Sequence, residues 1–193
     1  MLLRFITLTI TTLGLTSCIG LNPSPDNTKM VALGLSDLAQ TRSTAPVAKG
    51  YIARPDFPVY MEGNRLKVLS KNGELLNLPD VRWAEPIDTG VARALSSYIG
   101  ISSDGLESDF YPWVRTNDVK FVLKVRFHHL IATDNGHILA SASWEYDRGT
   151  DKTQTGFFVN NTVSWSPGDA QSMVTGMNTV LKLLASEIVD TLK

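Results

Sequence analysis

The chain of 193 residues contains one cysteine, Cys18, and it stands at the end of Leu15-Thr16-Ser17-Cys18 behind a short apolar run. A single cysteine allows no internal disulfide, so any domain that forms must be held by packing. The position of that cysteine also divides the chain. Arg4 supplies a positive start, and Phe5 to Leu15 (FITLTITTLGL) an apolar stretch of signal-peptide length, too short to span a bilayer. With the small Thr16 and Ser17 ahead of the thiol, this is the lipobox pattern of an acylated bacterial protein. In that chemistry the Cys18 sulfur is alkylated with a diacylglyceryl group, residues 1–17 are cleaved off, and the new terminus takes an N-acyl chain such as palmitate. The alternative is an ordinary secretory signal carrying a chance cysteine.

Each buried CH₂ contributes about 0.8 kcal/mol and one chain binds only marginally, so two or three chains on Cys18 hold a protein on a membrane. Ile19 follows Cys18 in place of the aspartate that commonly retains such proteins at the inner membrane, which points to the periplasmic face of the outer membrane. No cofactor is expected beyond the diacylglycerol and N-acyl chain. The 176 residues from Cys18 onward suffice for one domain with its own core. Loss of Arg4 takes the formal charge from -1 to -2. With no cluster of lysine or arginine, nucleic acid is not an expected partner, and the membrane is met through the lipid anchor alone.

Residues 18–29 form the acylated cysteine and a proline- and asparagine-containing linker, which fully extended spans roughly 35 to 40 Å. The domain is expected over 30–193. Met30 to Leu35 and Val47 to Ala53 are strand candidates, with a loop through Pro46 between them. Arg65 to Leu69 and Glu74 to Leu78 flank Asn72-Gly73, a strong hairpin signal. Ile87, Val91, Ala94, Leu95 and Tyr98 make one apolar stripe of a helix that begins with Pro86 in its first turn and stops at Gly100. From Phe121 to Leu130 the chain alternates, with Phe121, Leu123, Val125 and Phe127 on one face and Lys124, Arg126 and His128 on the other. Asp134-Asn135-Gly136 turns it into a strand over His137 to Tyr146, and Gly156 to Trp165 makes another. Ser166 as N-cap, with Pro167 and Asp169, opens a last helix whose inner side carries Met173, Met177, Val180, Leu181, Leu184 and Ile188. The expected class is α+β: a mainly antiparallel sheet with two helices packed on one face, in β-β-β-α-β-β-β-α order.

Chemistry-bearing residues are sparse. His128, His129, Asp134 and His137 are close in sequence, but strand alternation predicts opposite directions for the adjacent histidines, so no metal site is expected. Gly34-Leu35-Ser36-Asp37-Leu38 lacks the second glycine of a nucleophile elbow, and Ser-x-x-Lys is absent. Glu62, Glu74, Glu85, Glu107 and Glu145 are scattered singly, as surface acids are. Neither Gly-x-x-x-x-Gly-Lys-[Ser/Thr] nor G-x-G-x-x-G occurs. The chain is therefore expected to be no enzyme, and any ATP hydrolysis to lie in another subunit.

The segment Arg54 to Gly100 carries Pro58, Tyr60-Met61, Leu66 and Arg82-Trp83-Ala84-Glu85-Pro86-Ile87. It resembles the core of the PqiC/YmbA-type family, auxiliary lipoproteins of ABC-type transport systems, whose members show a strand, a proline with an aromatic, a hairpin, and a Trp-Ala-x-Pro element opening a helix. Cys18 matches the acylated cysteine of that family. The chain departs at Val31-Ala32-Leu33, where the family often has a tyrosine. Pro58, Trp83, Ala84 and Pro86 are the motif residues, structural or docking, and Trp83 also suits a wedge of the helix start against the sheet. The resemblance implies attachment to an MCE-domain periplasmic conduit and its inner-membrane partner, moving lipids or other hydrophobic compounds and so serving membrane integrity. Since such conduits are rings, a homo-oligomeric ring is expected by symmetry. The alternatives are a periplasmic lipid-carrying module, which the ordinary 43% hydrophobic content does not favour, and a lipoprotein activator of an envelope enzyme.

Overall fold

The computed structural model describes residues 26–35, 48–103, 106–115, 117–149 and 153–191. Cys18, with Leu15, Thr16 and Ser17, lies outside the described residues, as do Ser36, Asp37 and the loop through Pro46. In chain order the strands before the first helix are β1 (Lys29–Val31), β2 (Ala48–Ile52), β3 (Arg65–Leu69) and β4 (Leu75–Trp83). Then come α1 (Ile87–Ser102), β5 (Leu106–Phe110), β6 (Phe121–Thr133), β7 (Ile138–Asp147), β8 (Gln154–Asn160) and α2 (Ala170–Thr191).

The class is α+β, and the sheet is open and mixed. β6, the longest strand, lies at its centre. Along one side β7 and then β8 pair antiparallel. Along the other side two short strands share its length: β2 runs parallel to its start, Gly50 to Ile52 beside Phe121 to Leu123, and β3 parallel to its end, Val68-Leu69 beside Ala132-Thr133. Outside β2 lies β5, parallel; outside β3 lies β4, antiparallel, and outside that β1, parallel. The sheet therefore forks on this side of β6, and residues 53–64 cross the gap.

Four strands precede α1, at the four segments read as strand candidates although the expected order counted three, and four rather than three follow it. β5 went unread because Leu-Glu-Ser-Asp-Phe is short and charged, with Ser108 interrupting the apolar face of Leu106 and Phe110; β2 offers it an edge to pair with. β4 runs five residues past the expected stop at Leu78. Pro79 and Asp80 break its regular pairing, since the register jumps from Lys67–Asn77 to Arg65–Arg82 and Asp80 takes φ 53°, yet the strand resumes and holds β1.

Both Asn-Gly turns form as expected. Gly73 (φ 82°) and Gly136 (φ 84°) occupy the left-handed positions that the turns require. The two hairpin tips are joined, because Lys71 N–H donates to Asp134 Oδ2 at 2.9 Å. The helix ends differ from expectation. Gly100 lies inside α1, which continues to Ser102, where Ser103 N–H and Oγ both bond to Ile99 O. Pro86 is the N-cap, one position before the first turn. For α2 the cap is Asp169, whose Oδ1 accepts from the N–H of Gln171 and Ser172; Ser166 to Asp169 is a separate turn before it.

The helices run side by side in the same direction on one face of the sheet. Gly34 wedges between them, with N–H bonded to the buried Asn178 Oδ1 at 2.9 Å, and an added Cβ would sit 3.0 Å from that of Ala94. Further along, the Lys182 ammonium covers the Tyr98 ring at 5.3 Å, and Ser102 meets Ser186. Phe127, Leu123, Leu130, Ile138, Leu95 and Leu181 fill the space below. Each such side chain contributes about 1.5 to 3 kcal/mol by burial, which is how a chain without disulfides holds together.

β2 has one position where size decides. A Cβ on Gly50 would fall 1.9 to 2.3 Å from the ring of Phe121, which is itself buried and stacked on Tyr146 at 4.8 Å. Because the ring has no free space to retreat into, Gly50→Ala is expected to destabilise by about 1 to 3 kcal/mol or more, as overpacked cores do. Urea unfolding measures this; an unchanged midpoint would mean that the ring relocates freely.

Candidate functional site

In the fork between β2 and β3 the chain leaves an open cleft of ≈ 1140 Å³. Its walls are the crossing segment (Arg54 to Pro58 and Glu62 to Asn64), the turn from β4 into α1 (Trp83 to Asp88), Met30 of β1, and Arg126 to His128 of β6. Pro58, Trp83, Ala84 and Pro86 all line it, although up to 28 residues separate them in the chain.

Local structure places each of them. Pro58 precedes a single 3₁₀ turn, Val59–Met61, which is pinned by Lys67 Nζ bonding to Tyr60 O at 2.5 Å and Glu62 O at 2.8 Å. Trp83 ends β4 with its N–H on Asn64 O at 2.7 Å and its side chain 6% exposed. Ala84 N–H bonds to Val31 O, so β1 is tied to the same corner. Pro86 has φ -54° and ψ 139°, turning the chain into α1 with its carbonyl accepting from Gly90 N–H. Asp88 adds a carboxylate to the first helical turn, where the backbone N–H groups favour negative charge.

Ion pairs surround the cleft. Arg54 Nε donates to Asp88 Oδ2 at 2.7 Å, Arg126 reaches Asp56 Oδ2 at 3.3 Å, and Arg93 pairs with Glu85. The hydrogen bond and charge of Asp88 hold the Arg54 guanidinium above its ordinary value, and its Cζ lies 5.5 Å from the centre of the Tyr111 ring. Beneath the charges Phe57 stacks flat on Phe127 at 4.8 Å. The carboxylates Glu62 and Glu85, single in sequence, thus share a cleft with Asp56 and Asp88, and Glu85, Asp56 and Asp88 each face an arginine. No local signal could have found these pairs, since 34 residues separate Arg54 from Asp88 and 70 separate Asp56 from Arg126.

The histidines require a correction. β6 carries a bulge at His128: Phe127 pairs with Ala142 and the next pair is His129 with Ser141. The extra residue reverses the alternation, so His128 and His129 both lie on the face away from the helices, not on opposite faces. They still diverge. His128 leans on Phe157 at 5.6 Å, while His129 Nδ1 meets the Tyr60 hydroxyl at 2.9 Å. Partial burial pushes the Tyr60 phenol up. Asp134 is tied to Lys71 and His137 bridges to Ser164, and among the described residues no three potential ligands come together.

The cleft combines internally paired charges, a partly buried aromatic floor and proline-fixed backbone. A family model described as ABC-type transport auxiliary lipoprotein component matches residues 34–189. Among curated proteins none matches the chain. The solved structure of an uncharacterised protein is similar in fold, with TM-score 0.69 at 13% identity over 86% of this chain and 99% of that one. A Xanthomonas campestris protein gives TM-score 0.49 at 15% identity over 76% and 85%. The PelC dodecamer from Paraburkholderia phytofirmans gives 0.40 at 12% identity over 74% and 93%.

Proposed function

The chain belongs to the family of ABC-type transport auxiliary lipoprotein components, and from that premise we propose that it is a non-enzymatic docking component. Anchored through acylated Cys18 at the periplasmic face of the outer membrane, it receives the end of an MCE-domain conduit whose inner-membrane partner supplies the energy. The conduit carries lipids or other hydrophobic compounds, and this chain couples it to the membrane at which transport begins or ends.

One observation carries the docking role. The residues by which the chain resembles its family, Pro58, Trp83, Ala84 and Pro86, converge on the ion-paired cleft. The tether supports it too, since a linker of roughly 35 to 40 Å lets that cleft face inward across the periplasm.

The tagged protein, extracted in mild detergent, is expected to co-purify with an MCE-domain protein, and deletion of either gene to give the same outer-membrane permeability defect. Arg126→Glu separates docking from folding. The Arg126 and Asp56 side chains are 68% and 63% exposed, so their pair adds little to stability. The substitution is expected to leave the melting midpoint within a degree or two while partner recovery falls at least tenfold. Co-purification with a cell-wall enzyme alone, or recovery of the domain loaded with lipid and no protein, would overturn the reading.

A further inference from the structure

β1 runs parallel to β4, with Lys29 beside Val81 and Met30 beside Arg82, so the chain enters β1 from the end of the sheet where β4 begins. That end is the tip of the β3–β4 hairpin. Leu69 pairs with Leu75 and Arg65 with Arg82, so four residues of β3, about 13 Å, separate the tip from the level of Met30. The tip is apolar where turns are usually polar. Leu75 is 43% and Leu76 49% exposed, and as consecutive strand residues they point to opposite faces, so apolar surface lies on both sides of the tip. The Lys71 N–H on Asp134 Oδ2 braces this tip against the neighbouring one. We propose that the tip is a second contact with the membrane: Leu75 and Leu76 enter the boundary between lipid headgroups and acyl chains, and the domain stands on the β3–β4 hairpin. The proposal rests on the acylated Cys18 of the functional reading above.

The tether selects a lipid surface as the occupant. From Cys18 to Lys29 the chain spans at most roughly 35 to 40 Å, so the bilayer stays within reach of the edge at which β1 enters. Another exposed apolar tip is formed by Trp113 and Val114, 67% and 87% exposed. It follows β5, five steps across the sheet from β1, about 24 Å at roughly 4.8 Å per strand. The Tyr51 hydroxyl donates to Trp113 O at 3.1 Å and holds that tip near the start of β6, whereas the β3–β4 tip lies at the end of β6.

Two leucines bind a bilayer weakly by themselves, but in a domain already confined to the membrane they act at high effective concentration and need only orient it. Standing on the hairpin, the domain turns Trp113 and Val114 toward the periplasm.

Acylation consumes the Cys18 sulfur, so one cysteine added to the full-length chain supplies its one reactive thiol. Leu75→Cys, Leu76→Cys and Val114→Cys are each labelled with the polarity-sensitive dye NBD and reconstituted into vesicles of phosphatidylethanolamine and phosphatidylglycerol. Quenching by lipids that carry a nitroxide on the acyl chain reads the depth of the label. Labels at 75 and 76 are expected to shift to the blue and to be quenched roughly threefold or more, and the label at 114 to behave as in water. Equal quenching at 75 and 114, quenching at 114 alone, or three labels that all behave as in water would overturn the proposal. Failure of the anchor is read separately, because the intact mass shows whether Cys18 carries acyl chains. A chain beginning at residue 19, held by an N-terminal hexahistidine on nickel-chelating lipids, restores the tether without acylation; the same pattern is expected there, and its absence counts against the tip in the same way.

Discussion

Cys18→Ala is expected to abolish acyl labelling completely and to leave a chain that keeps residues 1–17. In the proposed anchoring chemistry the sulfur is the atom that accepts the diacylglyceryl group, and alanine offers no replacement for it. Since each buried CH₂ is worth about 0.8 kcal/mol, removal of two or three acyl chains removes tens of kcal/mol of membrane attachment, far more than any surface contact of the domain could replace. Incorporation of a labelled fatty acid and the mass of the intact chain are the measurements. Labelling that persisted in this variant would refute the anchor, and a cleaved but unlabelled wild-type chain would identify an ordinary secretory signal.

The largest single effect on folding is expected at Trp83. Its side chain is 6% exposed and belongs to the core, while its backbone joins Asn64 to β4 and its neighbour Ala84 ties down β1. Trp83→Ala removes the indole from the corner where three strands and α1 meet. The lost burial and the resulting cavity cost about 3 to 5 kcal/mol, a large share of the roughly 5 to 15 kcal/mol that holds a domain of this size. Trp83→Phe, which keeps much of the apolar area, should recover about half. Urea unfolding of a chain beginning at residue 19 gives the values, and recovery of the conduit protein gives a second readout. If the midpoint stays unchanged while partner recovery is lost, Trp83 is a docking residue and not a structural one.

Much of this architecture is written locally. Asn72-Gly73 and Asn135-Gly136 mark their hairpins because the turns require positive φ, and glycine takes it without strain. The stripe from Ile87 to Tyr98 and the one from Met173 to Ile188 mark two helices because a 3.6-residue period has few other uses. The lipobox pattern proposed at Leu15 to Cys18 is likewise a purely local reading. The α+β class follows from those signals together.

Whatever depends on distant partners stayed out of reach. Alternation cannot say which strand lies beside which, so the parallel pairs of β1 with β4 and of β2 with β5 are invisible locally. One inserted residue at His128 leaves the composition of β6 unchanged and reverses its alternation beyond that point, so a period-2 reading of the histidines had to fail. Gly100 has the chemistry of a helix stop, but packing and the Ser103 cap carry α1 past it. The cleft is the clearest case. Its motif residues are legible as types, yet the arginine and aspartate partners that shape its rim meet only because β2 and β3 divide the length of β6 between them. That division is a property of the packed sheet, where burial over the whole chain outweighs the preference of any one segment.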